Sequence, residues 1–246
     1  ARLTYEETSN FFEKEDYPLH LSTCLTPLKK IYDLLKEQKI SRCALELEIP
    51  DYLPKIRNGE IQRFIRSKRN ISHQVIEECM LLANICAAEV LLKSGSPSIY
   101  RIHPRPDATS IKQLELFARS RRINIKIRPE GKVEDFSNLI EHTSDRKDQE
   151  AIHMQILQSL NLASYSEKPS GHFALAYMSY THFTSPIRRY PDLIVHRVIK
   201  QLLNQSQNRK IKISEIKKTK NLNKLLRLSK LFIDNEGGEL FYLLED

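Results

Sequence analysis

Between Gly171 and His196 the chain reads GHFALAYMSYTHFTSPIRRYPDLIVH, its richest stretch of chemistry-bearing side chains. Phe173, Tyr177, Tyr180 and Phe183 precede a Thr-Ser-Pro run that leads into adjacent arginines, Arg188 and Arg189. A guanidinium is a planar fork of N–H donors suited to phosphate oxygens. Ser185 and Pro186 predict a helix start, with serine as N-cap and proline at the first position. Such an N-terminus offers free backbone N–H groups and a partial positive charge, so it too favours an anion. Arg188, Asp192 and His196 fall at i, i+4 and i+8 and share one face, which places Asp192 to hold Arg188. Pro191, inside that run, is expected to kink or restart the helix. On spacing alone, a solvated Arg–Asp–His face above core aromatics is the more ordinary account.

The elements that must position these groups are legible in outline. Residues 1–36 read as helical, with Leu25, Leu28, Ile31, Leu34 and Leu35 at helical spacing. Residues 40–50 alternate as in a strand. Residues 55–69 are basic, carrying Lys55, Arg57, Arg63, Arg66, Lys68 and Arg69, with a turn at Asn58-Gly59. The clearest helix spans 71–93, with Val75, Cys79, Leu82, Cys86 and Val90 as its apolar face and Gly95 as its stop. A short strand over 98–103, a helix near 109–120, a strand over 123–128 and a helix over 148–163 follow. From residue 206 onward lysine and arginine crowd the chain, and a local helix is expected around 214–232.

The segment His172-Phe173-Ala174-Leu175, Tyr180, Phe183-Thr184-Ser185-Pro186-Ile187-Arg188-Arg189-Tyr190, Asp192 and His196 resembles the signature of the ribonuclease II/R family. Three further stretches resemble the same family: ARLTY at 1–5, IEECMLLANICAA at 76–88 and RIHPRPD at 101–107. The wording GHF and YTHFTSPIRRYPDL is closer to the ribonuclease R branch. The resemblance covers roughly residues 1–203 and implies processive 3′-to-5′ hydrolysis of RNA to 5′-mononucleotides. It implies Mg²⁺ held by an aspartate cluster upstream of ARLTY, so no metal ligand is expected among these residues and the isolated chain is expected to be inactive. Arg188 matches the family's catalytic arginine at the scissile phosphate. Tyr5 and Glu77 match the pair that reads the terminal ribose, where a carboxylate accepting from a 2′-hydroxyl separates RNA from DNA. Arg101, His103 and Arg189 are expected to contact RNA, and the basic stretch 55–69 either steers the phosphate backbone or is simply a solvated surface. Leu47 stands where the family usually carries an aromatic that stacks on a base. A non-catalytic RNA-binding relic of the family is the first alternative, and a basic DNA-binding helical protein the second.

The bulk numbers agree with that picture. The chain has 246 residues, 40% hydrophobic and 28% charged, a globular composition. A net charge of +8 favours nucleic acid or an anionic membrane surface without choosing between them; the resemblance makes the expected partner single-stranded 3′ ends of RNA, with no obligate protein partner evident. Cys24, Cys43, Cys79 and Cys86 form no C-x-x-C pair and read as reduced, with Cys79 and Cys86 in the core of a cytoplasmic protein. No apolar run approaches a membrane span. The absence of an initial methionine suggests a fragment. The expected fold class is α+β, an incomplete catalytic domain of this family over 1–204 with long helices around a short mixed sheet. A divergent basic helical tail is expected over 205–246.

Overall fold

The computed structural model of the chain describes residues 2–207, apart from 48, 50, 51, 58, 67 and 68. The expected basic tail therefore lies almost wholly outside the described residues. Seven helices and four short strands occur among the described residues, an α+β arrangement. The chain divides into two compact units, Ala1–Cys79 with Pro106–Leu160 and Met80–Arg105 with Asn161 onward. Among the described residues no helix is long and apolar enough to cross a membrane.

In the first unit, α1 (Tyr5–Lys14) opens on a capping box: the Thr4 hydroxyl accepts from Glu7 N at 3.2 Å while the Glu7 carboxylate accepts from Thr4 N at 2.8 Å. Glu15 is left-handed (φ 53°) and Pro18 caps α2 (Leu19–Ser41), so the single helical span expected over 1–36 is two helices. Phe12, Leu25, Tyr32 and Val75 form their shared core. No strand forms over the described part of 40–50, because α2 runs on to Ser41 and Cys43 turns left-handed (φ 58°). Most of the basic stretch lies in an antiparallel hairpin of β1 (Tyr52–Arg57) and β2 (Glu60–Arg66), every residue of both strands exposed. Helices α4 (Ala108–Ser120), α5 (Val133–His142) and α6 (Gln149–Ser159) complete this unit around buried Ile111, Leu114, Phe136, Leu139, Ile152 and Ile156.

Helix α3 (Ile71–Ser94) bears out the clearest expectation in extent, but its buried face differs from the expected stripe. Val75 is buried, whereas Leu82, Cys86 and Val90 are exposed, and Cys79 is only half-buried. The other buried positions are Ser72, Glu78, Asn84, Ala87, Ala88 and Leu91. Two alanines side by side let neighbouring backbone approach closely. Glu78 pairs with Lys39 and Asn84 makes three hydrogen bonds, whereas the Ser72 hydroxyl is buried without a partner among the described residues.

The second unit holds the rest of α3, the antiparallel pair β3 (Tyr100–Ile102) and β4 (Ser164–Ser166), and α7 (Tyr190–Gln207). A parallel bridge between His103 and His172 adjoins that pair. Ala87, Ala88, Leu91, Ile99, Tyr100, Ile194, Val195 and Val198 form its core. Residues 186–188 form a turn, with Arg188 N and Arg189 N both donating to Ser185 O at 3.3 and 3.0 Å, and α7 begins only at Tyr190. Pro191 therefore sits in a first helical turn, where its missing N–H costs nothing, and it does not kink the helix.

Candidate functional site

The segment 180–189 has almost no regular structure, and side chains from two helices fix its backbone. Asn84 of α3 is 4% exposed and accepts through Oδ1 from Phe183 N (2.9 Å) and Thr184 N (3.2 Å), while its Nδ2 donates to the Tyr180 hydroxyl (2.8 Å). Asp192 of α7 accepts from Ser185 N at 2.7 Å. His196, one turn further on, stacks on Phe183 (centroids 4.1 Å, 7° between planes) and has Nε2 2.8 Å from Phe183 O. A buried amide group must be paired, and here three consecutive N–H groups receive their acceptors from side chains rather than from a strand or helix. The cost of an irregular segment is thereby offset, and the arginines that follow it start from a fixed point.

The two arginines have different surroundings. Arg189 donates from Nη2 to Asp192 Oδ1 at 2.7 Å, and the carboxylate is fully buried. Asp192 thus holds Arg189 and not Arg188, against the expectation from i, i+4 spacing. The reason is the turn at 186–188, which removes Arg188 from the helix and leaves Arg189 at i−3. Arg188 is exposed, and its guanidinium makes no hydrogen bond or ion pair among the described residues. It is the arginine free to meet an anion.

Behind this segment lies a cluster of aromatic and imidazole rings. His103 lies 5.0 Å from His172, His172 lies 5.3 Å from Tyr180, and Tyr180 lies 5.8 Å from His182. The Tyr165 hydroxyl and His182 Nδ1 are 2.7 Å apart, and the Arg101 guanidinium lies over the Tyr165 ring at 4.7 Å. Both ring nitrogens of His103 are engaged, Nε2 with Asn161 O at 2.7 Å and Nδ1 accepting from Ala174 N at 3.1 Å. Gly171 carries φ +82° beside this cluster, and a Cβ there would meet Tyr177 O at 3.2 Å, so only glycine suits the position.

Burial disfavours charge on these rings. It pushes the His172 pKa down to about 3, helped by the neighbouring His103, Arg101 and His182. Burial and then Arg189 push His182 down to about 4, with Asp192 opposing. Both values lie below the 6.5 of an unfolded histidine. The unfolded chain therefore takes up protons first, so stability held above pH 6.5 is lost progressively as pH falls toward 4. Urea unfolding across that range should show the decline, and His172→Gln should make it shallower throughout. A stability that is flat from pH 7 to 4 would contradict the buried neutral rings.

In the first unit, Tyr5 begins α1 and is half exposed. Its ring lies parallel to that of His73 on α3, with centroids 4.2 Å apart and 11° between planes. Glu77 is one turn along from His73 and shares its helix face. Arg69 pairs with Glu77 Oε2, and Glu77 Oε1 has no partner among the described residues. The adjacent Glu78 points inward, 4% exposed, with its Oε1 3.1 Å from Lys39 Nζ. Adjacent acids that helical spacing alone does not rank are thus separated into one outward and one buried. Tyr5 also borders a groove of about 300 Å³ lined by Phe12, Leu28, Ser72, Val75 and Ile76. Leu47 lies half-buried in a segment without regular structure. Sequence reasoning passed over Asn84, His73 and Asn70; their only signal was a polar residue within or just before an apolar helix.

Comparison with known proteins bears on both groups. The model of the RNB domain matches residues 1–205. Ribonuclease R of Vibrio parahaemolyticus is 38% identical over 216 residues, 85% of this chain and 26% of its own length. Ribonuclease R of Escherichia coli is 36% identical over 214 residues, 84% of this chain and 26% of its own. The chain thus spans about a quarter of these curated relatives. Mycoplasma genitalium RNase R, solved with ribose-methylated single-stranded RNA, superposes with a TM-score of 0.78 at 22% identity, over 96% of this chain and 38% of its own. Yeast Ssd1, a pseudonuclease, superposes with a TM-score of 0.61 at 18% identity, over 93% and 28%. At those identities the two structures establish the fold alone. The domain match, which runs from ARLTY through the Arg188 segment and α7, shows that the chain belongs to the RNB domain family.

Proposed function

We propose that this chain is part of an exoribonuclease that hydrolyses single-stranded RNA from its 3′ end to 5′-mononucleotides. The observation that carries the reading is Arg188, exposed and unpaired among the described residues, at the end of a segment that Asn84, Asp192 and His196 hold in place. A guanidinium so placed binds a phosphate without first breaking an ion pair. Its role is to neutralise charge that develops on the phosphoryl oxygens as the terminal phosphodiester is cleaved. Tyr5 and Glu77 read the ribose, with the Glu77 carboxylate accepting from the 2′-hydroxyl. Arg189 and Arg101 add positive charge on the phosphate path, and His103 acts through the segment it holds. The hairpin residues Lys55, Arg57 and Arg63 steer the backbone electrostatically.

Among the described residues no group of three or more His, Cys, Asp or Glu side chains is arranged to hold a metal ion. No residue here is assigned to Mg²⁺; a requirement for Mg²⁺, with ligands upstream of ARLTY, rests on the family resemblance. We place the enzyme in the cytoplasm, a compartment that suits a chain whose four cysteines are all free. The test is to incubate the complete protein with Mg²⁺ and a 3′-tailed RNA. Release of mononucleotides from the 3′ end supports the reading. Tight binding without release supports the alternative, RNA binding alone.

Glu77→Ala should relax sugar discrimination rather than abolish cleavage, since a site built to hydrogen-bond a hydroxyl loses selectivity with its acceptor. The measurement is the ratio of cleavage rates for strands ending in ribose and in 2′-deoxyribose. An unchanged ratio would return Glu77 to being simply the ion-pair partner of Arg69.

A further inference from the structure

We propose that His73 is a positioning residue for sugar recognition: its ring, locked by Asn70, is the plate that fixes Tyr5 on the helix face carrying Glu77. The proposal rests on the reading of Tyr5 and Glu77 given above. Asn70 precedes α3 and its Oδ1 accepts from His73 N at 3.1 Å, which caps the helix. The same Oδ1 lies 2.5 Å from His73 Nδ1. An amide atom that accepts from a backbone N–H is the oxygen, so Nδ1 must carry the proton, and one tautomer is selected. The ring is thereby held in one rotamer by its own N-cap. Asn70 Nδ2 in turn donates to Tyr5 O at 3.5 Å.

The three residues close a circuit: Asn70 to the His73 ring, that ring to the Tyr5 ring by parallel stacking, and the Tyr5 carbonyl back to Asn70. A half-exposed tyrosine at a helix start is otherwise free to change rotamer, and holding it costs side-chain entropy. The stack meets that cost before substrate arrives and covers one face of Tyr5, leaving the other for a nucleotide. Arg69, the neighbour of Asn70, holds Glu77 in the same way. Two consecutive residues ahead of α3 thus each restrain one member of the ribose-reading pair.

A residue that sets orientation governs turnover more than affinity, because small misplacements cost rate steeply. The experiment measures kcat and KM of the complete enzyme on strands ending in ribose and in 2′-deoxyribose. His73→Ala should lower kcat for the ribose-ended strand about tenfold, leave KM within a few-fold, and shrink the ribose preference toward that of Glu77→Ala. His73→Phe keeps a flat ring without the Asn70 bond and should stay within about threefold of wild type. Asn70→Ala should fall between them. A mere structural role predicts lower thermal stability with the ribose preference intact, and that result overturns the proposal. So does a His73→Phe enzyme as poor as His73→Ala, since the imidazole itself would then be needed. If His73→Ala does not fold, His73→Phe and Asn70→Ala decide by the same two readouts. If Glu77→Ala relaxes the preference and the His73 variants do not, only the role of His73 falls. If Glu77→Ala leaves it unchanged, the ribose reading falls, and the role of His73 with it.

Discussion

Arg188→Lys in the complete enzyme is expected to lower kcat about 10²–10³-fold while KM moves little, the usual loss when one transition-state contact is removed. Lysine keeps the charge, so long-range attraction of RNA survives. What it loses is the planar pair of parallel donors, which matches two oxygens of one phosphoryl group at once. The surroundings make the test clean. Arg188 is exposed and unpaired among the described residues, so the change breaks no buried interaction and should leave stability within about 0.5 kcal/mol. Single-turnover cleavage alongside RNA binding separates the two effects. A kcat within a few-fold of wild type would reduce Arg188 to a binding contact.

Asp192→Ala is expected to have the opposite signature, a loss of about 3 kcal/mol of stability through disruption of a buried ion pair. The Asp192 carboxylate is fully buried, and Oδ1 alone serves two donors, Ser185 N and Arg189 Nη2, each at 2.7 Å. Removing it strands both. The Arg189 side chain keeps some contact with solvent, which places the cost at the low end of the range for buried pairs. Asp192→Asn retains an acceptor for Ser185 N and should cost less, about 1–2 kcal/mol. Urea unfolding of the complete protein reads both. A loss under 1 kcal/mol for the alanine variant would show that the 185–189 turn does not depend on this carboxylate.

The contrast between these two variants shows where sequence reading reached and where it stopped. The family motif marked Arg188, Asp192 and His196, but helical spacing assigned the wrong arginine to Asp192. Spacing arguments hold only inside a helix, and Ser185-Pro186 opens a turn four residues before α7 begins. Helices α3, α4 and α6 and strand β3 were legible because periodicity and caps agreed. The buried face of α3 was not, since its core is made of small and polar residues, Ala87, Ala88, Asn84 and Glu78, that hydrophobic patterning discounts. The alternating INIKIR over 123–128 suggested a strand, yet Ile127 N donates to Glu115 at 3.1 Å and Arg128 N to Asp135 at 2.9 Å. Side chains took the hydrogen bonds that a partner strand would have provided. Helix α5 went unread because ten residues give too few turns for its Val133, Phe136 and Leu139 to stand out. His73 escaped for another reason: its partner Tyr5 is 68 residues away, and no local pattern announces such a stack.

The hairpin β1–β2 has a bearing on how the isolated polypeptide behaves in a tube. Pairing places Tyr52, Pro54, Phe64, Ile56 and Ile61 on one side with Arg66, and Lys55, Arg57 and Arg63 on the other with Leu53, Ile65 and Glu60, all exposed. An exposed two-stranded ribbon with an apolar side is a template for pairing with another copy of itself. The cations act as gatekeepers by mutual repulsion, but the reach of that repulsion shrinks from about 10 Å at 0.1 M salt to about 3 Å at 1 M. Raising ionic strength, the usual remedy for a basic protein that clings to nucleic acid, therefore removes the barrier to self-association here. A purification that strips RNA with concentrated salt is expected to exchange one contaminant for turbidity, and Phe64→Lys should keep the preparation clear, as light scattering at about 0.1 M and 1 M salt would read.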